Sequence, residues 1–303
     1  MRNLSLISCC FIGIVFLVSG VSKLFPIQLL EYSIVNTLNI GWTSSALLAR
    51  SIISIEILLG IQLCLNKDKI FFINTAFILL LIFIIYLFYN IYVSPNSEDC
   101  GCFGEILKLS PSMAVIKNFV LIGMLFFSYK VPPSGWTLKK GVNVLLIIAA
   151  FTLPYIISPL AVESNEKNSS QLTDYPFEFD YLYKSNTNKK PKRDLRQGKH
   201  IIAFFSASCK HCKMAAMKLQ IMKKRNSQIP FYIIINGDEE KVASFFQETR
   251  SNNIPYTISN GTDFIRMSGT RLPAIVWLDK GIVRRKSNYD NLSQEEIEEW
   301  LRN

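Results

Sequence analysis

Histidine is scarce in this chain, with only His200 and His211 among 303 residues, and there is a single C-x-x-C. A closed zinc site takes four ligands, usually two cysteine pairs or one pair plus two histidines. That set is missing, so Cys209-Lys210-His211-Cys212 does not read as half of a zinc site. Cysteine itself is sparse. The seven are too scattered for a disulfide scaffold, and only Cys100/Cys102 and Cys209/Cys212 form tight pairs. Cys9, Cys10 and Cys64 lie inside apolar runs, where a free thiol serves as a small hydrophobe. The net charge is +10, but basic and aromatic residues are not interleaved as a nucleic-acid groove would need, which argues against nucleic-acid binding. No A-x-A-like cleavage site closes the first apolar run, and Leu6-Ile7-Ser8-Cys9 lacks the preceding apolar stretch of a lipoprotein box. That run is expected to be retained.

Long apolar runs are what the first half has. They cover Leu4–Phe25, Ser45–Leu65, Ile70–Val93, Met113–Tyr129 and Val142–Leu160, each long enough to span a bilayer. With the N-terminus inside, Arg2, Lys67, Lys69, Lys130, Lys139 and Lys140 fall on the inner side, and only Lys23 and Lys108 on the outer. This predicts a multi-pass protein of the bacterial cytoplasmic (inner) membrane, N-terminus inside, with the C-terminal domain extracytoplasmic. Both cysteine pairs then share a compartment in which disulfides persist. Within the spans, Glu56 falls near the middle of the second, with Arg50 and Lys117 nearer the outer face. Charge in lipid is costly unless paired, so these residues mark either an ion pair joining the second and fourth spans or a functional site. Gly13 and Gly20, at helical spacing with Phe16 and Lys23, point to close helix packing.

The loop after the third span holds Cys100-Gly101-Cys102. A disulfide at that spacing is tight and relatively oxidising. Two thiolates so placed can instead hold a soft ion such as Cu(I). The redox reading is favoured, and the copper reading stays open.

Three motifs carry a resemblance. They are Gly13-x-x-Phe16-x-x-Ser19-Gly20-x-x-Lys23, Glu56-x-x-x-Gly60 and Asp99-Cys100-Gly101-Cys102-Phe103-Gly104. Together they resemble the DoxX/MauE family of small membrane proteins over roughly residues 1–130. The resemblance implies a four-helix membrane domain (1–135) tied to thiol redox chemistry, in the MauE branch to maturation of methylamine dehydrogenase. The fifth span (136–160) departs from that plan and is expected to carry the chain back across the membrane.

Residues 161–198 are rich in Ser, Asn and Lys and read as a linker, with Tyr175–Tyr183 aromatic enough to add a strand or pack on the domain. From 199 to 303 the pattern is α/β. Strands are expected at His200–Phe205, Phe231–Asn236, Ala274–Leu278 and Ile282–Lys286, and helices at Cys209–Arg225, Glu239–Arg250 and Ser293–Arg302. Ser293-x-x-Glu296 is a capping box. The C-x-x-C thus opens a helix after a strand and a tight turn. Unpaired N–H groups and the helix dipole stabilise a thiolate there, and the second cysteine lies close enough to resolve a mixed disulfide.

The order of elements, with a proline opening the third strand, resembles the thioredoxin fold. That resemblance implies a cis Pro273 facing the cysteines and shaping a substrate groove. Two departures set the chain apart from cytosolic reductants: Ser208 replaces the tryptophan before the first cysteine, and Ala203 stands at the position of the buried acid. A histidine before the second cysteine is shared with periplasmic disulfide oxidases, so His211 and Lys210 are expected to favour the Cys209 thiolate.

The chain is therefore expected to be a membrane-bound thiol–disulfide oxidoreductase. Cys209 attacks, Cys212 resolves, and Cys100/Cys102 exchange electrons with them, forming disulfides in exported or periplasmic thiol proteins. No covalent cofactor is expected, and a membrane quinone is the electron partner by analogy. The alternatives are a reductive donor for cytochrome or metal-site maturation and a copper-handling assembly factor.

Overall fold

The computed structural model describes residues 2–65, 69–93, 111–130, 139–160, 172–183, 190–191, 193–269 and 271–303. They fall into two units, Met1–Leu160 and Ala161–Asn303.

The first unit is helical: α1 (Arg2–Lys23), α2 (Gln28–Leu38), α3 (Trp42–Leu65), α4 (Lys69–Val93), α5 (Pro111–Lys130) and α6 (Lys140–Ile157). All except α2 are long and apolar enough to cross a membrane. The closest approach is between α1 and α3, and glycine makes it possible. A Cβ on Gly13 would stand 2.6 Å from the Gly60 carbonyl oxygen, and one on Gly60 would stand 2.7 Å from that of Gly13. The two backbones therefore touch, as small residues allow in lipid, where no hydrophobic effect drives helices together. Cys9, Ile12, Phe16, Leu59, Leu63, Ala76, Leu80, Leu121 and Leu125 fill the core of this bundle. The fifth span, α6, packs on α3, where Gln62 Nε2 donates to Asn143 Oδ1 at 2.5 Å. Between α1 and α3 lies an element not expected from the sequence. α2 is only 11 residues long, caps at Asn39 in the left-handed region (φ 52°), and is tied to α4 by a Ser33–Tyr86 hydroxyl contact.

The second unit is a six-stranded mixed sheet in the order β1-β6-β5-β2-β3-β4. Its strands are β1 (Leu172–Pro176), β2 (Lys199–Ser206), β3 (Phe231–Asn236), β4 (Tyr256–Ile258), β5 (Ala274–Asp279) and β6 (Ile282–Ser287). β2, β3 and β4 run parallel, while β5 pairs antiparallel with β2, β6 with β5 and β1 with β6. The helices are α7 (Asp180–Tyr183), α8 (Lys210–Arg225), α9 (Glu239–Thr249), α10 (Gly261–Ser268) and α11 (Gln294–Arg302). β2 and β3 lie inside the sheet, and Ile201–Phe205 and Phe231–Ile235 are buried throughout, which is why they read as unbroken apolar runs. Cys209 caps α8, Arg250 ends α9 in the left-handed region, and Ser293 accepts from the Glu296 N–H as its capping box requires. This is the thioredoxin-like architecture.

Part of the stretch read as linker is structured. Leu172–Pro176 forms the edge strand β1, and Phe177 and Leu182 are buried against β2 and β5. Aromatic packing of Phe177 on Phe179 and Phe204 outweighs the polar composition around it. β4 and α10 were likewise not expected.

Candidate functional site

β2 ends at Ser206, and the chain turns through Ala207 and Ser208 to place Cys209 at the N-cap of α8. The turn is tight because Gly237 lies against it. A Cβ on Gly237 would meet that of Ala207 at 2.8 Å, while the Ala207 N–H donates to the Asn236 carbonyl at 2.9 Å. The Cys209 sulfur, half-buried, accepts the Cys212 N–H at 3.2 Å. One orphan donor of the helix terminus thus points at the sulfur that would carry charge as a thiolate. Cys212 differs. Its side chain is fully buried, its sulfur accepts the Ser206 N–H at 3.5 Å, and burial, followed by the hydrogen bond to Cys209, pushes its thiol well above the ordinary range. One thiol is reachable and accepts an N–H of the helix terminus, and its neighbour is held neutral and inside.

His211 and Lys210 lie exposed on the first turn beside Cys209. The His211 Nδ1 is 3.3 Å from the hydroxyl of Tyr289, a residue that sequence reasoning missed. Tyr289 is 8% exposed, and burial first, then Asp290, pushes its phenol up to about 12, so it stays protonated at neutral pH. Lys218 holds this segment in place. Buried on α8 two turns beyond His211, it donates to the carbonyls of Tyr289 at 2.7 Å and Asp290 at 3.3 Å. A lysine seven residues after His211, on the same helix face, was a visible hint; a tyrosine 78 residues away was not. His200 sits at the opposite end of β2, buried, with its Nε2 2.8 Å from the Gln197 carbonyl and its pKa lowered by burial.

Pro273 is buried at the head of β5, after a cis Leu272–Pro273 peptide. Antiparallel register sets Ala274 opposite Phe204, so Pro273 lies at the end of the sheet from which the cysteine turn departs. A cavity of about 600 Å³ opens beside it.

In the membrane unit, the residues singled out do not form one cluster. Glu56, fully buried, does not join the second span to the fourth. Its carboxylate takes the Lys23 ammonium at 2.7 and 2.8 Å and the Ser19 hydroxyl at 3.4 Å, so it ties α3 to α1. Lys23, counted as an outer-loop cation, is only 4% exposed and also lies 5.2 Å over the Phe83 ring. Ser19 and Lys23 are one turn apart on α1, and the Lys23 ammonium also donates to the Ser19 hydroxyl at 2.7 Å. Arg50 pairs with Glu31 of α2 at 2.6 Å and donates to the carbonyls of Ser158 and Pro159 past the end of α6. Lys117 is half-buried on α5. Cys100 and Cys102 lie outside the described residues. Among those described, no group of three or more His, Cys, Asp or Glu is arranged to hold a metal ion.

Residues 1–131 match the family model described as "Methylamine utilisation protein MauE". Over 86% of its length the chain is similar, at 26% identity, to "Protein TlpB" of Flavobacterium psychrophilum, 83% of which is covered. Solved structures similar to the second unit include a secreted Mycobacterium tuberculosis disulfide oxidoreductase homologous to E. coli DsbE. It is 21% identical, with 35% of this chain and 81% of that one covered and a TM-score of 0.29. Another is the thioredoxin domain of a thiol-disulfide oxidoreductase from Bacteroides vulgatus, at 16% identity, 36% and 82% coverage, and a TM-score of 0.32. Residues 1–131 thus resemble the MauE family, and the second unit presents a C-x-x-C at the N-terminus of α8 on a thioredoxin-like fold.

Proposed function

We propose that this protein forms disulfides in exported thiol proteins through Cys209/Cys212 and is reoxidised by the Cys100/Cys102 pair of its own membrane domain. The observation that carries this reading is the asymmetry of the C-x-x-C, with Cys209 half-exposed at a helix N-cap and Cys212 buried with its thiol pushed up. Starting from the Cys209–Cys212 disulfide, a substrate thiolate attacks the reachable sulfur of Cys209, and Cys212 leaves and takes a proton. A second substrate thiolate then attacks its own half of the mixed disulfide and releases Cys209 as a thiolate. The substrate has lost two electrons and two protons; the pair has gained both electrons and, on Cys212, one proton, while the other proton has gone to solvent. The two electrons then pass by exchange to a Cys100–Cys102 disulfide and on to a two-electron acceptor in the bilayer, of the quinone class.

In this reading the N-terminus is inside the cell, and the thioredoxin-like domain and the cysteine loop are outside it. His211 and Lys210 favour the Cys209 thiolate, and Pro273 shapes the substrate groove. Glu56 belongs to the structure of the bundle, because Lys23 and Ser19 already satisfy its carboxylate.

The test is to trap the Cys209/Cys212 redox state by alkylation in intact cells, comparing wild type with a Cys100→Ser/Cys102→Ser variant. A more reduced pair in the variant supports the oxidative reading. A more oxidised pair reverses the flow and makes the protein a reductive donor. An unchanged pair removes the relay.

A further inference from the structure

The cavity beside Pro273 is unevenly charged. Among the described side chains that line it are the cations Arg266, Arg271 and Lys286, against one carboxylate, Glu178. Two of the cations are held in place by aromatic rings. Lys286 Nζ lies 5.1 Å over Tyr175, and the Arg266 guanidinium lies 5.2 Å over Tyr181, to whose hydroxyl it donates at 3.4 Å. Aromatic faces leave the charge uncancelled, unlike the carboxylates that neutralise Lys213 and Arg284 elsewhere on this unit. The result is a concave, positive surface that reaches Pro273 and Ala274 at the end of the sheet from which the cysteine turn departs.

The sequence holds a segment of matching charge. Glu98-Asp99-Cys100-Gly101-Cys102-Phe103-Gly104-Glu105 has three carboxylates around its two cysteines and no cation before Lys108. We propose that the basic groove beside Pro273 is the docking site for this acidic cysteine loop, so that the loop is the groove's polypeptide partner during reoxidation. This rests on the relay proposed above. Charge around both pairs then selects which disulfide meets Cys209 and orients it. Complementary charge of this kind acts mainly on encounter rate and specificity, less on the strength of the complex.

The experiment uses the full chain in membrane vesicles. The Cys209/Cys212 pair is reduced with a pulse of dithiol, and its return to the steady state is followed by alkylation trapping. An Arg266→Glu/Arg271→Glu/Lys286→Glu variant is expected to slow the return by about tenfold at low ionic strength. Adding Glu98→Lys/Asp99→Lys/Glu105→Lys to it is expected to restore most of the rate, which a misfolded variant could not do. In the wild type the return should slow as salt is raised. Three results would overturn the docking while the relay stands. One is a groove variant with the wild-type rate while Cys100→Ser/Cys102→Ser is slowed, which leaves the relay standing and removes the docking site. Another is a slowed groove variant that the loop reversal does not restore, which makes the groove's partner some other polypeptide. The third is wild-type exchange indifferent to salt. If Cys100→Ser/Cys102→Ser has no effect, the relay itself fails and the docking falls with it.

Discussion

The two halves of this protein bury polar groups to opposite ends. In the membrane half, Glu56 is sealed from solvent, and its oxygens take an ammonium and a hydroxyl. Such a set is satisfied within the bundle. In the soluble half, Cys212 is equally sealed, yet it is neutral and lies beside a second sulfur that is half-open. In the reaction proposed above its burial holds a leaving group and does not balance a charge. Burial alone is therefore no guide to function; what the neighbour can exchange is.

The comparison predicts its largest effect at the cysteines. Cys209→Ser should abolish turnover on any disulfide or dithiol substrate. Cys212→Ser should leave the attack intact and accumulate a mixed disulfide, seen as a mass-shifted band on a non-reducing gel. Equal loss in both variants without the trapped species would mean that the two sulfurs do not have separate roles.

Glu56→Ala should leave that mixed-disulfide trapping unchanged and act on the bundle. Removing one partner of a buried pair strands the other, at a cost of about 3–5 kcal/mol. The cost should appear as a lower unfolding midpoint in detergent. Lys23→Met/Glu56→Leu, which removes both charges, should recover most of it. A double variant as unstable as the single one would show that the pair's neighbours, not its charge balance, set the cost.

How far the sequence foretold these two sites depended on chain distance. The strand, turn and cysteine-capped helix lie within 27 residues, from Lys199 to Arg225, and local pattern alone located them. The glycine seam was legible for the same reason, since Gly13 and Gly20 lie two turns apart on one helix. Pairing across the fold was not legible. Periodicity set Gly13, Phe16, Gly20 and Lys23 at helical spacing on α1 but could not show that Glu56 faces Lys23. The short elements escaped for a third reason. α2 has 11 residues, and β4 has three, of which Tyr256 is exposed, so neither holds enough periodic apolar residues to stand out. They form because neighbours cover them, as Phe246 does by packing on Tyr256 at 4.2 Å.

A third prediction separates the two kinds of burial by pH. The folded state holds the Cys212 proton above the ordinary thiol value of about 9. The unfolded chain releases that proton first, so the stabilisation is complete below pH 9 and is lost as pH rises beyond it. The loss approaches about 1.4 kcal/mol per pH unit. Denaturant unfolding of the reduced protein should show this slope. The Cys209–Cys212 disulfide form, in which the Cys212 thiol no longer exists to titrate, should lack it. A slope common to both forms would assign it to some other group.

The smallest effect belongs to Tyr289, and its value lies in its sign. With its phenol raised to about 12, Tyr289 can donate its O–H to the His211 Nδ1 at neutral pH, across 3.3 Å. A contact that long is worth about 0.5–1.5 kcal/mol. Tyr289→Phe should cost that much, while Lys218→Met, which strands two backbone carbonyls, should cost about 1–3 kcal/mol. If the phenol only anchors the loop, reduced and oxidised forms lose equally, and the balance of the cysteine pair against a glutathione buffer stays fixed. If it orients His211 toward the Cys209 thiolate, the reduced form loses more, and the same buffer leaves a larger oxidised fraction. A shift of about 1 kcal/mol is roughly fivefold in that ratio, well within reach of alkylation trapping.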